Sequence, residues 1–147
     1  MKLPSRFGIS VRPVLVVAVS LSLAAGCVEF GGDDDGIDTE GMIASENGDL
    51  FGRFTPDPDP PSFGDNSLDV ELAWADGLPV EGAVMTLTPF MDAMGHGSPQ
   101  VPVVEEQGNG IYVATNIIYS MTGEWRLTVD VDAGSLADTF VLLYQIE

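Results

Sequence analysis

The chain has 147 residues, enough for one domain and a leader, with 23 acidic residues against 5 basic ones and a single cysteine. So acidic a chain repels nucleic acid and anionic head groups, which excludes nucleic acid as a partner. One cysteine makes no internal disulfide, so the core has to hold itself together by packing.

Residues 1–26 read as a secretory signal peptide. Lys2, Arg6 and Arg12 form a basic lead, Val14 to Leu23 is an apolar run too short to span a bilayer, and Ala24-Ala25-Gly26 supplies small residues before Cys27. Ala24-Ala25-Gly26-Cys27 resembles the lipobox of bacterial lipoproteins, in which the cysteine is lipidated and becomes the new N-terminus. The common pattern has Leu three residues before the cysteine; here Ala24 holds that place and Leu23 sits one further back. The resemblance implies a membrane anchor at Cys27, with ordinary cleavage near Ala25 as the alternative. Val28, where inner-membrane retention calls for Asp, directs such a lipoprotein to the outer membrane of the bacterial envelope, facing the periplasm or the exterior. Beyond Cys27 only Arg53 and Arg126 remain to oppose the 23 acids.

Residues 27–66 read as a disordered acidic tether. Gly31 to Gly36 is a Gly/Asp run that buries nothing, and Thr55 to Pro61 is proline-rich and favours an extended chain. Within it, Met42 to Phe54 is less polar, and Leu50, Phe51 and Phe54 are candidates for an added edge strand.

From residue 67 onward the chain alternates. Leu68, Val70, Leu72 and Trp74 interleave with Asp69, Glu71 and Ala73, a period of two that predicts a half-buried strand. Further strands are expected over Ala83 to Thr88, Val101 to Glu105, Ile111 to Ile117, Trp125 to Val131 and Leu136 to Ile146, separated by Gly, Asn and Asp turns. No window carries a helical stripe. The pattern predicts an all-β domain over 67–147, an immunoglobulin-like antiparallel β-sandwich of about six to seven strands. Gly110 to Ala114 resembles the strand that carries a tyrosine corner, with Ala114 where antibody domains place their second cysteine.

The chemistry-bearing stretch is Pro89 to Pro99, which holds Met91, Met94 and the only histidine, His96, in a glycine-rich segment expected to be a loop. Thioether sulfur and imidazole nitrogen are soft-to-borderline donors that suit Cu(I) better than zinc, magnesium or calcium. Antiparallel strands send successive connections to alternate ends of a sandwich. The connection Ile118 to Gly123 therefore returns to the end that carries Met91, and Met121 joins Met91, Met94 and His96 as a fourth candidate ligand. The alternative is that these methionines cap the open end of the core.

Pro89 to Gly97, followed by Gly110-Ile111-Tyr112 and by Tyr119-Ser120-Met121-Thr122-Gly123-Glu124-Trp125, resembles the YtkA-like domain of bacterial exported proteins. Met91, Met94, Gly95, His96, Gly97, Gly110, Tyr112, Met121, Gly123 and Trp125 carry the likeness, over roughly Asn66 to Val131. The resemblance implies an Ig-like sandwich in the cell envelope; copper handling follows for such domains only by inference from their Met and His residues. Asp92 departs from the pattern, which often has Pro after the methionine, and is expected to loosen the loop.

Catalysis finds no footing. Ser98 is the one hydroxyl near the one imidazole, the carboxylates are abundant but unplaced, and no phosphate loop, dinucleotide fingerprint, zinc spacing or calcium loop is present. The expectation is a lipid-anchored envelope protein that binds a soft metal ion, Cu(I), as a carrier or sensor and meets a copper-handling partner or another envelope protein. The alternative is a non-catalytic interaction module in which the same end, through Phe90, Met91, Met94 and Tyr119, is an apolar contact patch.

Overall fold

A computed structural model describes residues 36–147. The signal peptide at 1–26, Cys27 and the acidic run to Asp35 lie outside the described residues. Among the described residues no helix is long and apolar enough to cross a membrane.

The expected sandwich is present, built from β1 (Ile43–Ala44), β2 (Leu50–Asp57), β3 (Gly64–Trp74), β4 (Val84–Met91), β5 (His96–Gly97), β6 (Val103–Gly108), β7 (Ile111–Tyr119), β8 (Gly123–Asp132) and β9 (Ala137–Ile146). One sheet runs β1-β2-β3-β7-β6 and the other β5-β4-β8-β9, with every pairing antiparallel. If β2, β3, β4, β6, β7, β8 and β9 are taken as strands A to G, the orders are A-B-E-D and C-F-G, the immunoglobulin arrangement.

Two expectations need correction. The tether was expected to reach residue 66, yet β2 pairs with β3 from Leu50↔Trp74 to Asp57↔Ser67, and Leu50 is completely buried. The proline-rich run thus begins inside a strand. It is tolerated there because β1 covers only Phe51 and Gly52, leaving the Pro56 end of β2 as a free edge. The second correction concerns Tyr112, which lies on strand E of this order and not on the strand that carries a tyrosine corner. Its hydroxyl donates to the Val80 carbonyl at 2.8 Å and accepts from the Ala83 amide at 3.1 Å, tying the β3–β4 connection instead. Ala114 is likewise on strand E, outside the disulfide position.

The core is the set of inward positions that the alternation marks: Leu68, Val70 and Leu72 on β3, Met85 and Leu87 on β4, Trp125, Leu127, Val129 and Val131 on β8. Each such side chain contributes about 1.5–3 kcal/mol by leaving water. On β7 the phase slips. Tyr112 and Ala114 face inward, Asn116 takes a positive φ of 62°, and Ile117 and Tyr119 then face inward on the odd positions. Asn is one of the few side chains at ease in that conformation. The slip extends the strand past its expected end and delivers Tyr119 into the core.

The two poles of the sandwich differ. At one, the β1–β2 turn is bound to β9 through Asp138, which accepts from Ser45 Oγ at 2.5 Å, Asn47 N at 3.1 Å, Asn47 Nδ2 at 3.0 Å and Thr139 N at 2.8 Å. The chain enters at this same pole, where the Ile37 amide donates to the Gly77 carbonyl at 2.7 Å and Arg53 reaches the carbonyls of Asp38 and Glu40. The other pole is where β4 ends, β7 crosses to β8 and Met91, Met94 and Met121 lie.

Candidate functional site

Pro89 to Pro99 is not a free loop. Pro89, Phe90 and Met91 finish β4, residues 92–95 turn, and His96-Gly97 returns as β5 with Met91↔His96 and Phe90↔Gly97 in register. The Met91 carbonyl accepts from both Met94 N at 3.1 Å and Gly95 N at 2.9 Å, and Gly95 supplies the positive φ, 69°, that closes the turn. Directly opposed residues of an antiparallel pair project to one face. Met91 is an inward residue of β4, so His96 projects to the inner face too.

There His96 meets Trp125. The imidazole lies edge-on to the indole at a centroid distance of 6.0 Å and 72°, and Tyr119 packs on the same indole at 5.4 Å and 63°. Trp125 is wholly buried. Its Nε1–H donates to the Met121 carbonyl at 2.9 Å, so the β7–β8 loop is fastened to the ring that His96 touches. A Cβ added at Gly123 would overlap the Met91 methyl, so Met91 reaches the beginning of β8. Parity therefore brings Met121 to the expected end, and a single side chain, Trp125, contacts both the hairpin and the loop.

The four candidate donors are not equivalent. Met91 is 6% exposed and belongs to the core, Met94 at the hairpin tip is 57% exposed, Met121 is 38% exposed, and His96 is half-buried against the indole. The nearest partner of His96 Nδ1 is the Gly97 carbonyl, at 3.2 Å. A carbonyl only accepts, so this contact calls for the proton on Nδ1 and leaves Nε2 with a lone pair. Histidines that ligate metals are commonly held in this way. Burial, with Tyr144 nearby, raises the Tyr119 hydroxyl well above its ordinary range, and burial and Asp59 push Tyr144 up to about 12. Both phenols stay neutral at this end. Among the described residues no three of His, Cys, Asp and Glu come together as a possible metal cluster.

Asp92 does the opposite of loosening the hairpin. Its carboxylate accepts from Arg126 Nε at 2.9 Å and Arg126 Nη2 at 2.7 Å, a bidentate clasp from β8, while the guanidinium lies 5.6 Å over the Phe90 ring. The hydrogen bond to Arg126 holds the Asp92 carboxyl below the usual range. Consecutive residues of β8 thus grip the hairpin from both faces, Trp125 through His96 inside and Arg126 through Asp92 outside.

The contact patch expected at this end has different members. Met91 and Tyr119 are core, and Phe90 is half-covered beneath Arg126. The exposed apolar side chains are Met94, Met121 and Phe63, the last 59% exposed beside the Gly64↔Tyr119 pair. The clasp and Phe63 escaped the sequence because both depend on register; only Trp125's inward phase, one residue from Arg126, hinted at the first.

None of the curated proteins matches this chain. A DUF4426 family protein from Pseudomonas aeruginosa PAO1 has a similar structure, with a TM-score of 0.50 and 23% identity over 67% of this chain and 91% of that one, a likeness of fold alone. The family model described as YtkA-like matches residues 52–130, which include β3 to β7, most of β8 and all four candidate donors. The chain belongs to the YtkA-like family.

Proposed function

We propose that the protein binds a soft metal ion, Cu(I), at the Met/His pole and serves as a carrier or sensor in the bacterial envelope, held there by a lipid on Cys27. The observation that carries the reading is that His96, paired with Met91 across the β4–β5 ladder, packs on the same Trp125 ring whose Nε1–H holds the Met121 carbonyl. His96 would supply nitrogen, Met94 and Met121 accessible sulfur, and Met91 a sulfur at the floor. A thioether binds without giving up a proton, and a bound Cu(I) would supply soft, one-electron chemistry suited to transfer.

Titration of the purified protein with Cu(I) under reducing conditions tests this. One equivalent binds, and binding weakens on acidification because a proton on His96 competes with the metal. Absence of saturable binding, or binding indifferent to pH, contradicts it.

A second reading has its own observation. Phe63, Met94 and Met121 are exposed apolar groups on one pole, suited to contact with another envelope protein. It takes over if Cu(I) does not bind.

A further inference from the structure

The side chain that joins the two donor-bearing segments ligates nothing itself. Trp125 is wholly buried, yet its one polar atom is spent on the Met121 carbonyl at 2.9 Å rather than on any strand partner. Met121 stands outside regular structure, two residues before β8, and is 38% exposed. The same ring makes T-shaped contacts with both His96 and Tyr119. The indole therefore touches the donor on the β4–β5 hairpin and the segment carrying the donor on the β7–β8 loop.

We infer that Trp125 is a positioning residue of the Met/His site, whose indole N–H sets Met121 against His96. This rests on the metal reading above. A hydrophobic role alone would be met by any large aromatic side chain, whereas tryptophan also brings the N–H that fastens residue 121. Outer-shell groups that orient a ligand typically change metal affinity about 10- to 100-fold when removed. The effect of Trp125 should fall in that range and be exerted through Met121.

The test is a double-mutant cycle on Cu(I) affinity in the purified protein. Replacing the Trp125 indole by its benzothiophene analogue keeps the bicycle and deletes only the N–H; Trp125→Phe is the genetically encoded counterpart. Met121→Leu keeps volume and deletes the sulfur. The expected result is that each single change weakens Cu(I) binding about 10- to 100-fold, and that the benzothiophene change adds nothing in the Met121→Leu background. In a Trp74→Phe background, where residue 125 is the sole tryptophan, Cu(I) should also alter the emission with saturation at one equivalent. Wild-type affinity in the benzothiophene protein, or losses that multiply in the double variant, overturns the positioning role and leaves the metal site standing. A wild-type protein that binds no Cu(I) overturns both.

Discussion

Met91 and His96 stand directly opposite each other in the β4–β5 ladder, so a core thioether and a half-buried imidazole share the inner face at one pole. What fixes that pair is the start of β8, which packs Gly123 under the Met91 methyl and Trp125 under the imidazole.

Gly123 is accordingly intolerant of a side chain. Its φ is 128°, a conformation that disfavours any Cβ, and a methyl there would collide with Met91. Gly123→Ala should destabilise the fold by about 1–3 kcal/mol in chemical denaturation and displace the Met91 methyl resonance. A near-neutral substitution would mean that Met91 is free to move and that the floor of the site is soft.

The Asp92–Arg126 clasp is on the surface, so its worth lies in order more than in global stability. Asp92→Asn removes the charge and keeps the shape. Amide exchange across residues 92–97 should quicken while the melting temperature changes little, and high salt should quicken the wild-type hairpin in the same direction. Unchanged exchange would show that the backbone bonds to Met91 O suffice to hold the turn.

The sandwich was legible because burial keeps strict period two along β8 and from Asn66 to Leu72 on β3, breaking only where Ala73 is buried and Trp74 is half-covered. Trp125 was readable as core for the same reason. The edges were legible only in part. Leu50, Phe51 and Phe54 marked a candidate strand, but half of β2 is glycine, proline and charge, and its extension to Asp57 comes from pairing with β3. β5 is two residues long, and propensity never marks His96-Gly97 as a strand; the ladder to Phe90 and Met91 makes it one. The slip at Asn116 changes which residues of β7 face inward, and a residue-by-residue alternation carried through that point puts Tyr119 on the wrong face. Parity could therefore place the donors at one end, whereas the side chain that joins them depended on register.

Asp138 gives the fold an acid limit at the other pole. Burial works to raise this carboxyl, but the bonds from Ser45, Thr139 and Asn47 outweigh it and hold it below the usual range. A carboxyl depressed in the folded state adds stability that is whole above the unfolded value, about 3.9 in peptides, and is lost as pH falls through the folded one. Denaturation followed from neutral pH down to the acid range should show this loss. Asp138→Asn should cost about 1.5–3 kcal/mol at neutral pH, because the buried Ser45 hydroxyl loses a charged acceptor, and should flatten the acid limb. An acid limb of unchanged steepness would assign the loss to other carboxylates.

The donors themselves are best observed through their methyl groups. The protein has six methionines, and Met42 and Met85 lie within the described domain yet outside the candidate site, with Met85 8% exposed in the core. Carbon–proton spectra of methyl-labelled protein, recorded while Cu(I) is added under reducing conditions, report each thioether separately. The predicted result is that the Met91, Met94 and Met121 methyls and the His96 ring shift together and saturate at one equivalent, while Met42 and Met85 stay still. Shifts spread evenly over all the methionines, or none that saturate, would contradict a soft-metal site at this pole.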